Sequence, residues 1–150
     1  MCGITGLLHL GTNAIDIDSQ IKKMTESLSH RGPDSSGNWS DLNMGVGLGH
    51  SRLAILDLST HGAQPMFSDS GRYIISYNGE IYNHNDLRLE LESQGLSKWN
   101  GHSDTETLLA GFEYFGIEET IKKCVGMFAF AVWDKTDHSL TLARDRIGEK

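Results

Sequence analysis

The sequence predicts an α+β domain, and three observations carry that prediction. Apolar runs of strand length open the chain at 4–10 and recur at 44–56, 73–77 and 125–143. Segments with apolar residues at helical spacing fall at 19–30 and 85–115. Strands and helices thus come in groups instead of alternating one for one, the pattern of segregated layers rather than of a parallel sheet with crossover helices. With 150 residues, of which 38% are apolar, one domain with a buried core is expected.

Taken in order, Ile4–Leu10 reads as a buried strand that would hold residue 2 in the fold instead of leaving it on a frayed end. From Ser19, Ile21, Met24 and Leu28 recur on one helical face, and Arg31-Gly32-Pro33-Asp34 closes the element near residue 30 with turn chemistry. The stretch Met44–Leu56 is apolar and rich in glycine, and such glycines in a strand allow another element to approach the backbone. Tyr73–Tyr77 is β-branched and aromatic; the Asn78-Gly79 pair after it favours positive φ, so a sharp corner is expected there. Asn85 is a candidate cap for a helix carrying Leu87 and Leu91 and stopped by Gly95. Ser103-Asp104-Thr105-Glu106 opens another, with Leu108, Leu109, Phe112 and Phe115, stopped by Gly116. Val125–Trp133 is nearly all apolar and turns through 134–138 into Ser139–Ala143, a hairpin whose first strand is buried on both faces.

Composition narrows the function. The net charge is −7, from 13 basic and 20 acidic residues with no basic run, so the electrostatic footprint of a nucleic-acid or anionic-membrane binder is missing. The first apolar stretch is too short and glycine-broken for a signal sequence, and nothing approaches a span of about 20 apolar residues. A cytoplasmic protein acting on a small molecule is expected. Cys2 and Cys124 are then read as thiols. Seven histidines invite a metal site, but no pair shows the spacing of a ligand set, and none is assigned. Cys124, leading into the apolar run at 125, reads as core.

Cys2 carries the strongest chemical signal. Followed by Gly3, it becomes the first residue once Met1 is cleaved, and thiol and α-amine then share one residue. Their reference pKa values of about 8.5 and about 8 let the amine serve as the base that makes the thiolate. Taken alone, a small cysteine at a strand start is an equally good reading.

Met1-Cys2-Gly3-Ile4-Thr5-Gly6, Arg31-Gly32-Pro33-Asp34, Gly49-His50-Ser51-Arg52-Leu53-Ala54-Ile55 and Tyr77-Asn78-Gly79-Glu80-Ile81-Tyr82-Asn83 together resemble class II glutamine amidotransferases. Ser103-Asp104-Thr105-Glu106, Gly126-Met127-Phe128-Ala129-Phe130-Ala131 and Arg144-Asp145-Arg146-Ile147-Gly148-Glu149-Lys150 extend the resemblance to the last residue. Ser51-Arg52-Leu53 stands where the glucosamine 6-phosphate-forming relatives read Thr-Arg-Trp, so the glutaminase domain of glutamine-hydrolysing asparagine synthetases is the nearer branch.

The resemblance implies an N-terminal-nucleophile hydrolase fold, four αββα layers with two antiparallel sheets stacked between helices. It implies Cys2 as nucleophile, with the Asn78 side-chain amide and the Gly79 N–H as oxyanion hole. Arg52 would bind the α-carboxylate of L-glutamine and Asp104 its α-ammonium. Leu53, Ala54, Ile55, Leu56 and Glu80 would line the glutamine pocket, mainly through backbone. Read without the family, Arg52 is a surface ion pair, Asn78-Gly79 a turn and Asp104 a helix cap. The domain itself is expected to need no cofactor. ATP and Mg would act in an ATP-dependent synthetase domain, the partner that in the family takes up the ammonia and makes asparagine from aspartate. Because 144–150 opens a motif that in the family runs on, residues 1–150 are expected to be a glutaminase domain shortened at its C-terminal end, with the synthetase domain outside it. A homodimer is a further partner reading. The alternatives are ammonia delivery to another carboxylate acceptor, such as a surface-polysaccharide sugar, and a non-catalytic glutamine-binding regulatory module.

Overall fold

A computed structural model describes residues 2–11, 15–53 and 62–150. The element order is β1 (Gly3–Leu8), α1 (Ile17–Glu26), β2 (Ser35–Asp41), β3 (Val46–Arg52), β4 (Met66–Phe67), β5 (Tyr73–Ile81), α2 (His84–Ser93), α3 (Asp104–Phe115), α4 (Ile117–Lys123), β6 (Gly126–Asp134) and β7 (Ser139–Arg144). Two antiparallel sheets form, one ordered β1-β3-β2 and the other β4-β5-β6-β7. Helix α1 packs on β1, β2 and β3, while β1 and β3 meet β5 across the sheet interface and α3 covers β4 and β5. The result is the expected αββα stack.

Side-chain alternation along β3 explains how its glycines build two of these layers. Val46 and Leu48 point into the space between the sheets, where they pack with Ile74, Ala131 and Trp133. Gly47, Gly49 and Ser51 point the other way, toward α1. A Cβ on Gly47 would lie 3.1 Å from Ile17 Cγ2, and one on Gly49 would lie 2.8 Å from Thr5 Cγ2 and overlap the Thr25 hydroxyl. What approaches this glycine-rich backbone is therefore α1, whose Ile17, Ile21 and Thr25 are buried on it. Gly49→Ala is expected to lower unfolding stability by about 1–3 kcal/mol, the usual cost of overpacking a close contact. A lower urea midpoint at unchanged m-value would show it, and an unmoved midpoint would contradict the close approach.

The second core lies between the four-stranded sheet and the helices. Tyr73, Ile75, Tyr77 and Ile81 of β5 and Phe128, Phe130 and Val132 of β6 pack there with Leu108, Leu109 and Phe112 of α3. Phe112 anchors it, with ring centroids 5.6 Å from Phe130 and 6.0 Å from Tyr73. Since β6 also sends Ala131 and Trp133 to the sheet interface, it is buried on both faces as its composition predicted.

Several local expectations shift. The first strand stops at Leu8 and α1 occupies 17–26, capped by Asp16. A single strand, β3, lies within 44–53. Helix α2 begins at His84 after Asn83, so Asn85 is not its cap. The short elements β2, β4 and α4 had no clear apolar period to announce them; α4 is split from α3 by Gly116 at φ 83°. Asn78-Gly79 makes no corner: β5 runs straight through it to Ile81, paired with β6 throughout.

Candidate functional site

The end of β1 where the chain starts lies beside the end of β3. Gly3 pairs with Ser51, which brings Cys2 next to Arg52 and Leu53. Gly3 faces the turn that follows α1, where a Cβ would sit 3.0 Å from Leu28 Cβ, so the alternation turns the Cys2 side chain to the sheet interface. Among the described residues its thiol is held by Leu53: the Leu53 N–H donates to Sγ at 3.4 Å, and the S–H reaches Leu53 O at 3.5 Å. Arg31 Nε donates to the Cys2 carbonyl at 3.3 Å, tying the nucleophile candidate to the Arg31-Gly32-Pro33-Asp34 segment. Cys2 is half-buried, and Arg52 shares its side of the sheet by alternation from Val46, Leu48 and His50.

Strand β5 supplies the opposite wall. Ile74 and Ser76 face the three-stranded sheet, the latter through a Ser76 Oγ–H donated to Gly49 O at 2.8 Å. By the same alternation Asn78 and Glu80 face it too, at the end where Cys2 and Arg52 lie. The edge of β5 matters as much as its face. Tyr77 N–H donates to Gln64 Oε1 at 2.6 Å and Ile81 N–H to Asp104 Oδ2 at 2.8 Å, so odd-numbered amides of β5 point away from β6. Phe128, opposite Gly79, agrees: its N–H goes to Asp145 and its carbonyl accepts from Asp145 N–H, on the β7 side. Gly79 N–H therefore lies on the open edge, between two amides already bound, and no described residue accepts from it. Glycine is needed at 79 because a Cβ would lie 2.6 Å from Phe128 Cα and 2.7 Å from its Cβ.

Asp104 closes this edge. It is buried, and its Oδ2 accepts from Tyr77 O–H at 2.6 Å as well as from Ile81 N–H. The plain cap reading fails, since Ser103 is the N-cap of α3 and accepts from Glu106 N–H at 3.2 Å. Burial, with the charge of Asp104 and the bond to it, pushes the Tyr77 phenol far above its ordinary range, so Tyr77 stays a donor to this carboxylate.

His50 is fully buried on the interface side of β3, and its Nε2 lies 3.0 Å from Tyr77 O. Facing a carbonyl, that nitrogen carries the proton and donates. Burial pushes the imidazole down to about 4, opposed by the Tyr77 bond and aided by the Arg52 charge, so it is neutral at physiological pH. Cys124 behaves as core: it is buried, its S–H donates to Thr120 O at 3.2 Å, and burial raises its thiol to about 11.

The structure thus brings together Cys2, Arg52, Leu53, Asn78, Gly79 and Glu80 around one end of the sheet interface, with Asp104 on the adjoining edge. Ala54, Ile55 and Leu56 lie outside the described residues. Sequence reasoning missed Arg31, His50, Gln64 and Tyr77 as parts of the site. Arg31, His50 and Tyr77 sit inside quoted motifs, which was the one signal available. Gln64 had none, because its side chain replaces a backbone rung beyond the two-residue strand β4, while its Nε2 reaches Thr105 Oγ1 at 3.4 Å. Among the described residues no group of three or more His, Cys, Asp or Glu could hold a metal ion, and no helix is long and apolar enough to cross a membrane.

Comparison with known proteins follows the same lines. An asparagine synthetase (glutamine-hydrolysing) of Bacillus subtilis is 44% identical over 152 residues, covering all of this chain and 23% of that protein. A putative asparagine synthetase of Methanocaldococcus jannaschii is 39% identical over 166 residues, covering all of this chain and 31% of its own length. The amidase chry2 of Gibberella zeae is 35% identical over 159 residues, again across the whole chain and 23% of that protein. The chain therefore spans roughly a quarter to a third of these relatives. The glutamine phosphoribosylpyrophosphate amidotransferase of Bacillus subtilis, solved with ADP and GMP, superimposes on 97% of this chain and 37% of its own with a TM-score of 0.77 at 20% identity, a likeness of fold. Residues 1–150 match the family described as the glutamine amidotransferase domain from end to end, and the chain belongs to that family.

Proposed function

We propose that this chain hydrolyses the side-chain amide of L-glutamine, with Cys2 as nucleophile. The observation that supports it most is that Cys2 Sγ lies 3.4 Å from Leu53 N, at the end of β1 that adjoins Arg52 on the interface side of the three-stranded sheet. Removal of Met1 frees the Cys2 α-amine, which takes the thiol proton; Leu53 N–H is in place to stabilise the thiolate. Arg52 holds the substrate α-carboxylate with its planar donor fork, and Asp104 meets the α-ammonium. The thiolate attacks the amide carbon, and the oxyanion is held by the Asn78 amide and Gly79 N–H. The α-ammonium of Cys2 gives its proton to the leaving nitrogen, ammonia departs, and a γ-glutamyl thioester remains. Water, deprotonated by the same amine, attacks the thioester and releases glutamate and the thiol.

The ammonia is proposed to serve a synthetase domain beyond these 150 residues, where ATP and Mg would activate aspartate, as the names of the asparagine synthetase relatives suggest. No step in the glutaminase chemistry is routed through either group. Diazo-oxonorleucine, a glutamine analogue with an electrophilic carbon, tests the site. Peptide mass spectrometry is expected to find it on Cys2, with glutamine protecting and Cys124 unmodified. Label on Cys124, or Cys2 labelling that glutamine does not slow, would refute the reading.

A further inference from the structure

Tyr77 is the residue immediately before the Asn78-Gly79 pair, and three residues from separate parts of the chain hold it. Its N–H donates to Gln64 Oε1 at 2.6 Å, its phenol to Asp104 Oδ2 at 2.6 Å, and its carbonyl accepts from His50 Nε2 at 3.0 Å. The third bond differs from the others because it crosses between the sheets. It ties the strand that carries Arg52 to the strand that carries the oxyanion donors. It also ends on a particular atom: in an extended strand the carbonyl of one residue and the amide of the residue two further on lie on the same edge. Tyr77 C=O therefore borders Gly79 N–H, which no described residue uses. An uncapped carbonyl dipole at that place points negative charge at the position where the oxyanion forms.

We propose that His50 is a positioning residue for the oxyanion hole: by donating Nε2–H to the Tyr77 carbonyl it fixes the Tyr77–Asn78 peptide across the sheet interface and removes a repulsive lone pair from beside Gly79 N–H. The inference rests on the glutaminase reading of this site. His50 is suited to the task, being fully buried with Nδ1 lacking a partner among the described residues, so that this imidazole makes one directed bond and no competing one. The structure also holds a control. Ser76 Oγ donates to Gly49 O at 2.8 Å, a buried bond between the same two strands that ends on β3 and leaves the Tyr77 carbonyl alone.

Steady-state glutaminase kinetics of the chain with His50→Phe, His50→Gln, His50→Asn and Ser76→Ala test the proposal, since a glutamine amide nitrogen reaches the Nε2 position and an asparagine one does not. Losing the donor is expected to lower kcat by about 10–100-fold, with KM for glutamine within about threefold, because the interaction acts on the transition state and not on the α-groups of the substrate. His50→Gln should recover most of that loss, His50→Asn should not, and Ser76→Ala should stay near wild-type kcat. Nitrogen-15 NMR of the wild-type imidazole gives a readout independent of variant folding: a neutral ring protonated on Nε2 at pH 7 is expected. An Nδ1–H tautomer or a charged ring overturns the proposal, as does an equal fall in kcat for His50→Phe and Ser76→Ala. Wild-type kcat in His50→Phe sinks the role of His50 alone, whereas a wild-type chain that releases no glutamate sinks the glutaminase reading and this inference with it.

Discussion

Cys2→Ala is expected to remove glutamate release from glutamine altogether, a fall on the order of 10⁶-fold, as deletion of a covalent nucleophile produces elsewhere. No other described side chain can take over: Cys124, the second thiol, is buried in the helix-side core with its thiol raised to about 11. The fold should survive, with a stability change of about 1 kcal/mol or less, because Cys2 is half-buried and β1 stays paired with β3 from Gly3 to Leu8. Ammonia and glutamate assays at saturating glutamine, beside a urea titration, check both halves. A chain that retains Met1 should be as inactive as Cys2→Ala, since its Cys2 nitrogen is then a peptide amide without basicity. Mass spectrometry of the N-terminus tells the two forms apart, and equal turnover in them would refute the α-amine as base.

Asn78→Ala is expected to cost about 2.7–4 kcal/mol of transition-state stabilisation, a loss of 10²–10³ in kcat, with KM for glutamine close to wild type. The size follows from where the residue lies. Asn78 is mid-strand, opposite Ala129 in β6, so truncation at Cβ leaves its backbone and that of Gly79 in the ladder and removes only the amide donor. Asn78→Asp should be worse than Asn78→Ala, because it puts negative charge where the oxyanion forms. A raised KM at unchanged kcat would instead make Asn78 a ground-state binding residue.

The Asn78 case shows where local reading stops. An Asn-Gly dipeptide prefers positive φ, but that preference is a fraction of the energy of a nine-residue strand paired along its length with β6, and the pairing wins. Gly79 is needed for closeness to Phe128 and not for its φ. Asp104 gives a similar lesson. The first turn of α3 offered Ser103 and Asp104 as caps, and which of them caps depends on Tyr77 and Ile81, residues 27 and 23 positions away that claim the carboxylate. Gly47 and Gly49, in contrast, were legible as places of close approach, and only the identity of α1 as the approaching element needed the fold.

By itself the sequence determined the α+β class, the doubly buried strand β6 and the core placement of Cys124, and its ordered motifs singled out Cys2, Arg52, Asn78, Gly79 and Asp104 as candidates. These depend on residue type, period and order, which a chain carries locally. The tertiary structure decided which atoms of those residues face one another and what holds them there. Cys2 meets Leu53 across 51 positions and His50 meets Tyr77 across 27. Such contacts join strands from different sheets or strand ends far apart in the chain, and their geometry is set by register and layer packing, which no local pattern of residues encodes.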